Sequence, residues 1–150
     1  MSITASGLYG LTLEKMLIDT LGESLEAEDS TAHLVEDAYT PAFDTHDFHA
    51  DLTNEISGGN YAADTIVTTE VTLSSGTLTY DFADVVYDNG GSNNVTITNA
   101  MAMVQATLVS GTATNQLVGL WDFVTAASCS NSTFTVQIAA GGAFTLDYTP

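Results

Sequence analysis

A mainly β fold is predicted: an antiparallel sandwich or barrel with a Greek-key or jelly-roll-like connection, preceded by one short N-terminal helix. Two observations carry this. Beyond Tyr61 apolar and polar residues alternate with period two, as in Leu78, Tyr80 and Phe82 set against Thr77, Thr79 and Asp81. Turn signals built from Gly, Asn and Ser then recur about every 8–12 residues, which implies about eight short strands. At 150 residues, 45% hydrophobic and 13% charged, the chain is also large enough to build a core without disulfides or metals.

The elements follow in order. Thr12 reads as an N-cap for a helix over Leu13–Leu21, where Leu13, Met16, Leu17 and Leu21 recur at helical spacing and Gly22 offers a stop. An acidic linker, Glu23 to Ser30, completes an N-terminal segment 1–30, and the β domain is expected over 31–150 with Ala32–Glu36 as its first strand. Thr40-Pro41 pins an extended segment, and Asp44 reads as the cap of a single helical turn that turns Phe48 and Leu52 inward. Gly58-Gly59-Asn60 supplies positive-φ positions before the β region. There, a strand near Thr65–Leu73 turns at Ser74-Ser75-Gly76 into a hairpin, and Val85-Val86-Tyr87 extends that strand or forms a short edge. After the loop Asp88–Asn93, Val95 and Ile97 open another strand. Ala100–Val109 reads as a small-residue strand, with helix an alternative over Asn99–Gln105. Leu117–Phe123 holds the only Trp, and the chain closes on a pair of strands around Phe134–Ile138 and Phe144–Tyr148, joined by a turn at Ala139–Gly142.

Charge narrows the function. One Lys and no Arg face 19 acidic residues, a formal net charge of -18. Nucleic acid and anionic membranes are therefore excluded as partners, since both are bound by cations that displace counterions. No apolar run approaches the ~18 residues of a membrane span. The start lacks a basic n-region, so the chain is expected to fold in a cytoplasm. Cys129 is the only cysteine, with no second thiol to pair with.

There is no phosphate loop, nucleotide-binding glycine fingerprint, nucleophile elbow or paired-cysteine metal site, and the chain is expected not to be an enzyme. The one constellation with ligand chemistry is Asp44, His46, Asp47, His49 and Asp51. On one helical turn His46 and His49 could meet a single cation while Asp47 and Asp51 offer oxygens to a hard ion such as Ca²⁺. Its alternative is an exposed polar face with no cofactor. The same acids, and those from Glu23 to Asp29, repel one another and would relax in salt or on binding divalent cations.

The stretch Ala38–Ala63, AYTPAFDTHDFHADLTNEISGGNYAA, followed by a β segment ending in FTVQIAAGGAFTLDYT, resembles a family of small virion structural proteins of tailed phages and viruses. The resemblance spans roughly Leu34 to Thr149 and rests most on Tyr39-Thr40-Pro41, Asp44 to Phe48 and Thr53-Asn54-Glu55. The chain departs from the pattern at His33, within the expected first strand, and at His49. The resemblance implies a decoration or fibre-like protein of the virion, most simply on the capsid. Joined to sheet edges without lysine, it leads to the expectation of symmetric self-assembly, a trimer first with a dimer, pentamer or hexamer as alternatives, against the major capsid protein or other virion proteins. The alternative the resemblance implies is a receptor- or glycan-binding module of a tail fibre or tip.

Overall fold

The structure, a computed structural model, describes residues 3–18, 24–26, 30–88, 95–106 and 115–147. The predicted mainly β architecture is what forms. Ten strands are described: β1 (Gly7–Leu8), β2 (Thr31–Glu36), β3 (Asp64–Thr65), β4 (Glu70–Ser74), β5 (Thr77–Asp81), β6 (Val85–Tyr87), β7 (Ile97–Ala106), β8 (Gly119–Cys129), β9 (Phe134–Val136) and β10 (Phe144–Asp147). One helix, α1 (Gly10–Leu17), and a 3-10 turn, His49–Asp51, accompany them. The strands build an antiparallel five-stranded sheet in the order β1-β8-β7-β2-β3, a three-stranded sheet β10-β5-β4 and a two-stranded sheet β6-β9.

The five-stranded sheet is covered on both faces, and alternation along its strands sorts the residues between two cores. Ala32 and Leu34 of β2 and Met103 of β7 join Tyr80, Phe82, Val85, Tyr87 and Ile97 in the larger core, under the two smaller sheets. Val35, Ala102, Val104 and Leu120 point the other way, onto Ile3, Tyr9, Tyr39 and Leu117. Because both faces are buried, β2 reads as a nearly continuous apolar run, AHLV, interrupted only by His33.

Several local expectations are corrected. Helix α1 begins at Gly10, with Tyr9 rather than Thr12 as N-cap. Thr12 is buried, and its hydroxyl donates to the Leu117 carbonyl, so it ties the helix to the approach to β8. Leu21 and Gly22 lie outside the described residues, as do Glu23, Glu28, Asp29 and most of the Asp88–Asn93 loop. The expected strand Thr65–Leu73 is broken: Thr68 takes φ 57°, the buried Ile66 donates its N–H to Ser30 O (2.9 Å), and the chain leaves β2 to join β5. Val85–Tyr87 is a separate short strand. Ile97–Ala106 is a strand, not a helix, paired on both sides.

The closing strands do not pair with each other. Gly142 N–H does bond Ala139 O (2.9 Å), but β9 pairs with β6 and β10 with β5. Aromatic contacts give the reason: Phe134 packs near Tyr87 and Phe123, whereas Phe144 packs on Tyr80, and Trp121 Nε1 holds the turn by donating to Ala143 O (2.8 Å).

The division at residue 30 has no counterpart in the packing. Strand β1 extends the main sheet by pairing Gly7 with Leu120 and Leu8 with Gly119, and Ile3 and Tyr9 are core residues.

At Gly59, φ is 58° and the backbone rests against Thr96, whose N–H donates to Gly59 O (2.7 Å). A Cβ at Gly59 would overlap the Thr96 carbonyl oxygen, whereas one at Gly58, φ 80°, meets nothing within 4 Å. Gly59→Ala is therefore expected to lower unfolding stability by about 2–4 kcal/mol, against about 1 kcal/mol for Gly58→Ala. Urea unfolding midpoints of the two variants measure the difference.

Candidate functional site

Tyr39, His46, Asp47, His49, Asp51, Glu55 and Tyr61 of the Ala38–Ala63 stretch enter two networks. The first anchors helix α1. Lys15 Nζ donates to Asp47 Oδ2 and to Gln116 Oε1 (3.2 Å), and lies 4.8 Å from the centre of the Phe48 ring. Below it the Tyr9 and Tyr39 hydroxyls share a hydrogen bond (2.8 Å), and Tyr39 Oη shares another with His46 Nδ1 (2.9 Å). Asp51 Oδ2 accepts the N–H groups of Asp47 (2.9 Å) and Phe48 (3.0 Å), which hold its carboxyl below the usual carboxylate range.

The sequence-predicted cation set is thereby dispersed. His46 is committed to Tyr39, Asp47 to Lys15 and Asp51 to backbone amides, while Asp44 is exposed. The helical turn that would have gathered them is replaced by a turn closing on Ala42 O and by the 3-10 turn three residues later. The expected cap at Asp44 is supplied by Asp51, and Phe48 is exposed rather than inward. Leu52 does pack on the second core.

Of the five residues, His49 alone enters the second network, with two partners the sequence reading did not connect. Residues 54–56 run along β2: Glu36 N–H donates to Asn54 O (3.0 Å), Ile56 N–H donates to Leu34 O (2.9 Å), and Glu55 stands opposite Val35. That pairing brings Glu55 beside His33. His33 Nδ1 and Glu55 Oε1 are 2.7 Å apart, and His49 Nε2 lies 3.5 Å from Glu55 Oε2. The two imidazole ring centres lie 4.5 Å apart, with the ring planes tilted by 43°. His33 is 8% exposed at its side chain, Glu55 29% and His49 37%.

Both anchoring residues are themselves held. Thr31 Oγ1 bonds the far nitrogen of His33, Nε2 (2.7 Å), and Tyr61 Oη donates to Glu55 Oε1 (3.1 Å) while accepting Leu34 N–H (2.9 Å). Burial works against the Glu55 charge, but the hydrogen bond and charge of His33, the Tyr61 hydroxyl and the charge of His49 outweigh it together, and the carboxyl titrates low. His49 Nε2 is shielded from solvent and makes no hydrogen bond.

No protein-family model, curated protein or solved structure matches this chain.

A third feature is apolar. Across the three-stranded sheet, Leu73, Leu78 and Leu146 stand in register, on the same side as the row Val71, Tyr80 and Phe144. The second row packs on the larger core, while the leucine row runs past it, with Leu73 65% exposed and Leu146 44%. Together with Leu13 and Leu17 of α1 and with Leu25, residues of the two rows line an open groove of about 470 Å³.

The sequence alone singled out His33 and His49, as interruptions of a pattern. Glu55 was legible only as part of a motif, because what joins it to His33 is a pairing between segments 22 residues apart.

Proposed function

We propose that the protein is a non-enzymatic structural subunit of a tailed-phage or viral particle, a decoration protein that stabilises the head by assembling with copies of itself against the major capsid protein. The observation that carries this reading is the leucine row on the three-stranded sheet. A sheet face that outruns its own core leaves apolar side chains in water, each worth about 1.5–3 kcal/mol when fully buried, and symmetric packing of copies is the economical way to cover them. Among the described residues the sheet ends at β4, an edge strand without lysine whose first residues are covered by Glu26, which accepts Val71 N–H (3.2 Å), so that the leucine end is the part left for another chain. A cyclic trimer is the arrangement put forward. The resemblance of Ala38–Ala63 to small virion proteins supports the same reading, and the acidic surface suits a subunit that meets protein rather than the packaged nucleic acid.

Imaging of particles carrying a labelled copy tests it. Copies are expected over the whole shell, and particles lacking the protein are expected to assemble but release DNA sooner on heating. A few copies at the tail tip, with normal heat resistance and failed adsorption to cells, would replace the decoration role by receptor or glycan binding.

A further inference from the structure

We propose that His33, His49 and Glu55 form a binding site for one divalent transition-metal ion of the zinc class, which staples the 48–56 loop to strand β2. The inference goes beyond the virion role and does not depend on it. The donor atoms of the three residues lie within 4.8 Å of one another. Zinc bonds of about 2.0–2.1 Å at tetrahedral angles place ligand atoms about 3.3 Å apart. The His33–Glu55 contact of 2.7 Å would open slightly and the His49–Glu55 separation of 3.5 Å already fits.

Three further observations point to an ion rather than to a packing accident. His49 Nε2 is a buried nitrogen without a hydrogen bond, aimed at a carboxylate oxygen. His33 offers Nδ1 to the centre while Nε2 is bonded to Thr31 Oγ1, an outer partner that orients the ring and can accept Nε2–H once Nδ1 takes the ion. Glu55 is oriented in the same way by Tyr61. Two imidazoles and one carboxylate suit a borderline ion; Ca²⁺ takes 6–8 oxygens, which this set does not supply. The more exposed edge of His49 gives the ion a route in, and water would take the fourth position.

The test is titration of the chelator-treated full chain with Co²⁺ and Zn²⁺ in excess Mg²⁺, which occupies the many surface carboxylates. One equivalent per chain, a Co²⁺ visible spectrum of low coordination number and a rise in melting temperature with Zn²⁺ are expected. His49→Ala, at a half-exposed side chain with no hydrogen bond at Nε2, should weaken binding at least about 100-fold, and Thr31→Val about 10–100-fold. His46→Ala should leave it unchanged. Binding that disappears in Mg²⁺, or that survives His49→Ala at full strength, would overturn the site and leave only diffuse attraction to an acidic surface.

Discussion

Removing residues 1–9 is expected to unfold the protein, and Tyr9→Ala alone to lower its stability by about 3–5 kcal/mol. The leader is part of the fold, not an appendage. Its strand β1 forms the edge of the main sheet, Tyr9 N–H donates to Val118 O (3.0 Å), and Gly10 N–H donates to Phe43 O (2.7 Å). The Tyr9 side chain is fully buried, packs 5.3 Å from the Phe43 ring and is hydrogen bonded to Tyr39. Truncation to Ala opens a cavity and also strips a partner from the Tyr39 hydroxyl, leaving it only His46. Tyr9→Phe separates the two costs, at about 1–2 kcal/mol for the hydroxyl alone. Circular dichroism and urea unfolding measure both, and a truncated chain with wild-type stability would mean that β8 can end the sheet unaided.

The second large effect is expected in alkali. Tyr9, Tyr39 and Tyr87 are fully or almost fully buried, and burial, the largest cause at each, raises their hydroxyl pKa above the ordinary value of about 10. At Tyr9 the bond to Tyr39 raises it further, whereas at Tyr39 the same bond works against the rise. A raised pKa means that the unfolded chain loses these protons first. The stability they confer is complete below about pH 10 and drains away above it, by about 1.4 kcal/mol per pH unit for each tyrosine still protonated in the folded state. Unfolding should therefore be steep and cooperative, with tyrosinate absorbance appearing together with loss of β structure. Gradual ionisation while the fold persists would show that these hydroxyls reach water.

What the sequence could reveal followed from how local the determinant was. The β class and the β4–β5 hairpin at Ser75-Gly76 are written in adjacent residues, so alternation and turn chemistry sufficed, whereas for Val85–Tyr87 they left an extension of the strand and a short edge both open. The partner of each closing strand was not legible, because Phe134 and Phe144 each found an aromatic neighbour far away in sequence. The leader misled for the same reason: nothing in its short apolar stripe says that Gly7 and Leu8, just ahead of it, extend the main sheet by pairing with Leu120 and Gly119. At the candidate site the Asp44–Asp51 run was visible as ligand chemistry, but the backbone amides, Lys15 and Tyr39 compete for its side chains. Only His49 is turned toward Glu55 and His33.

Lys15 has a consequence beyond tying α1 to the 44–52 loop. Because it is the chain's only Lys or Arg, trypsin has a single internal bond to cut, Lys15–Met16, and that bond lies within α1. The side chain that the protease must take into its pocket is already engaged by Asp47 and Gln116. Tryptic attack thus reports the release of this one helix, and the folded chain offers almost no purchase to any enzyme that recognises substrates by their cations.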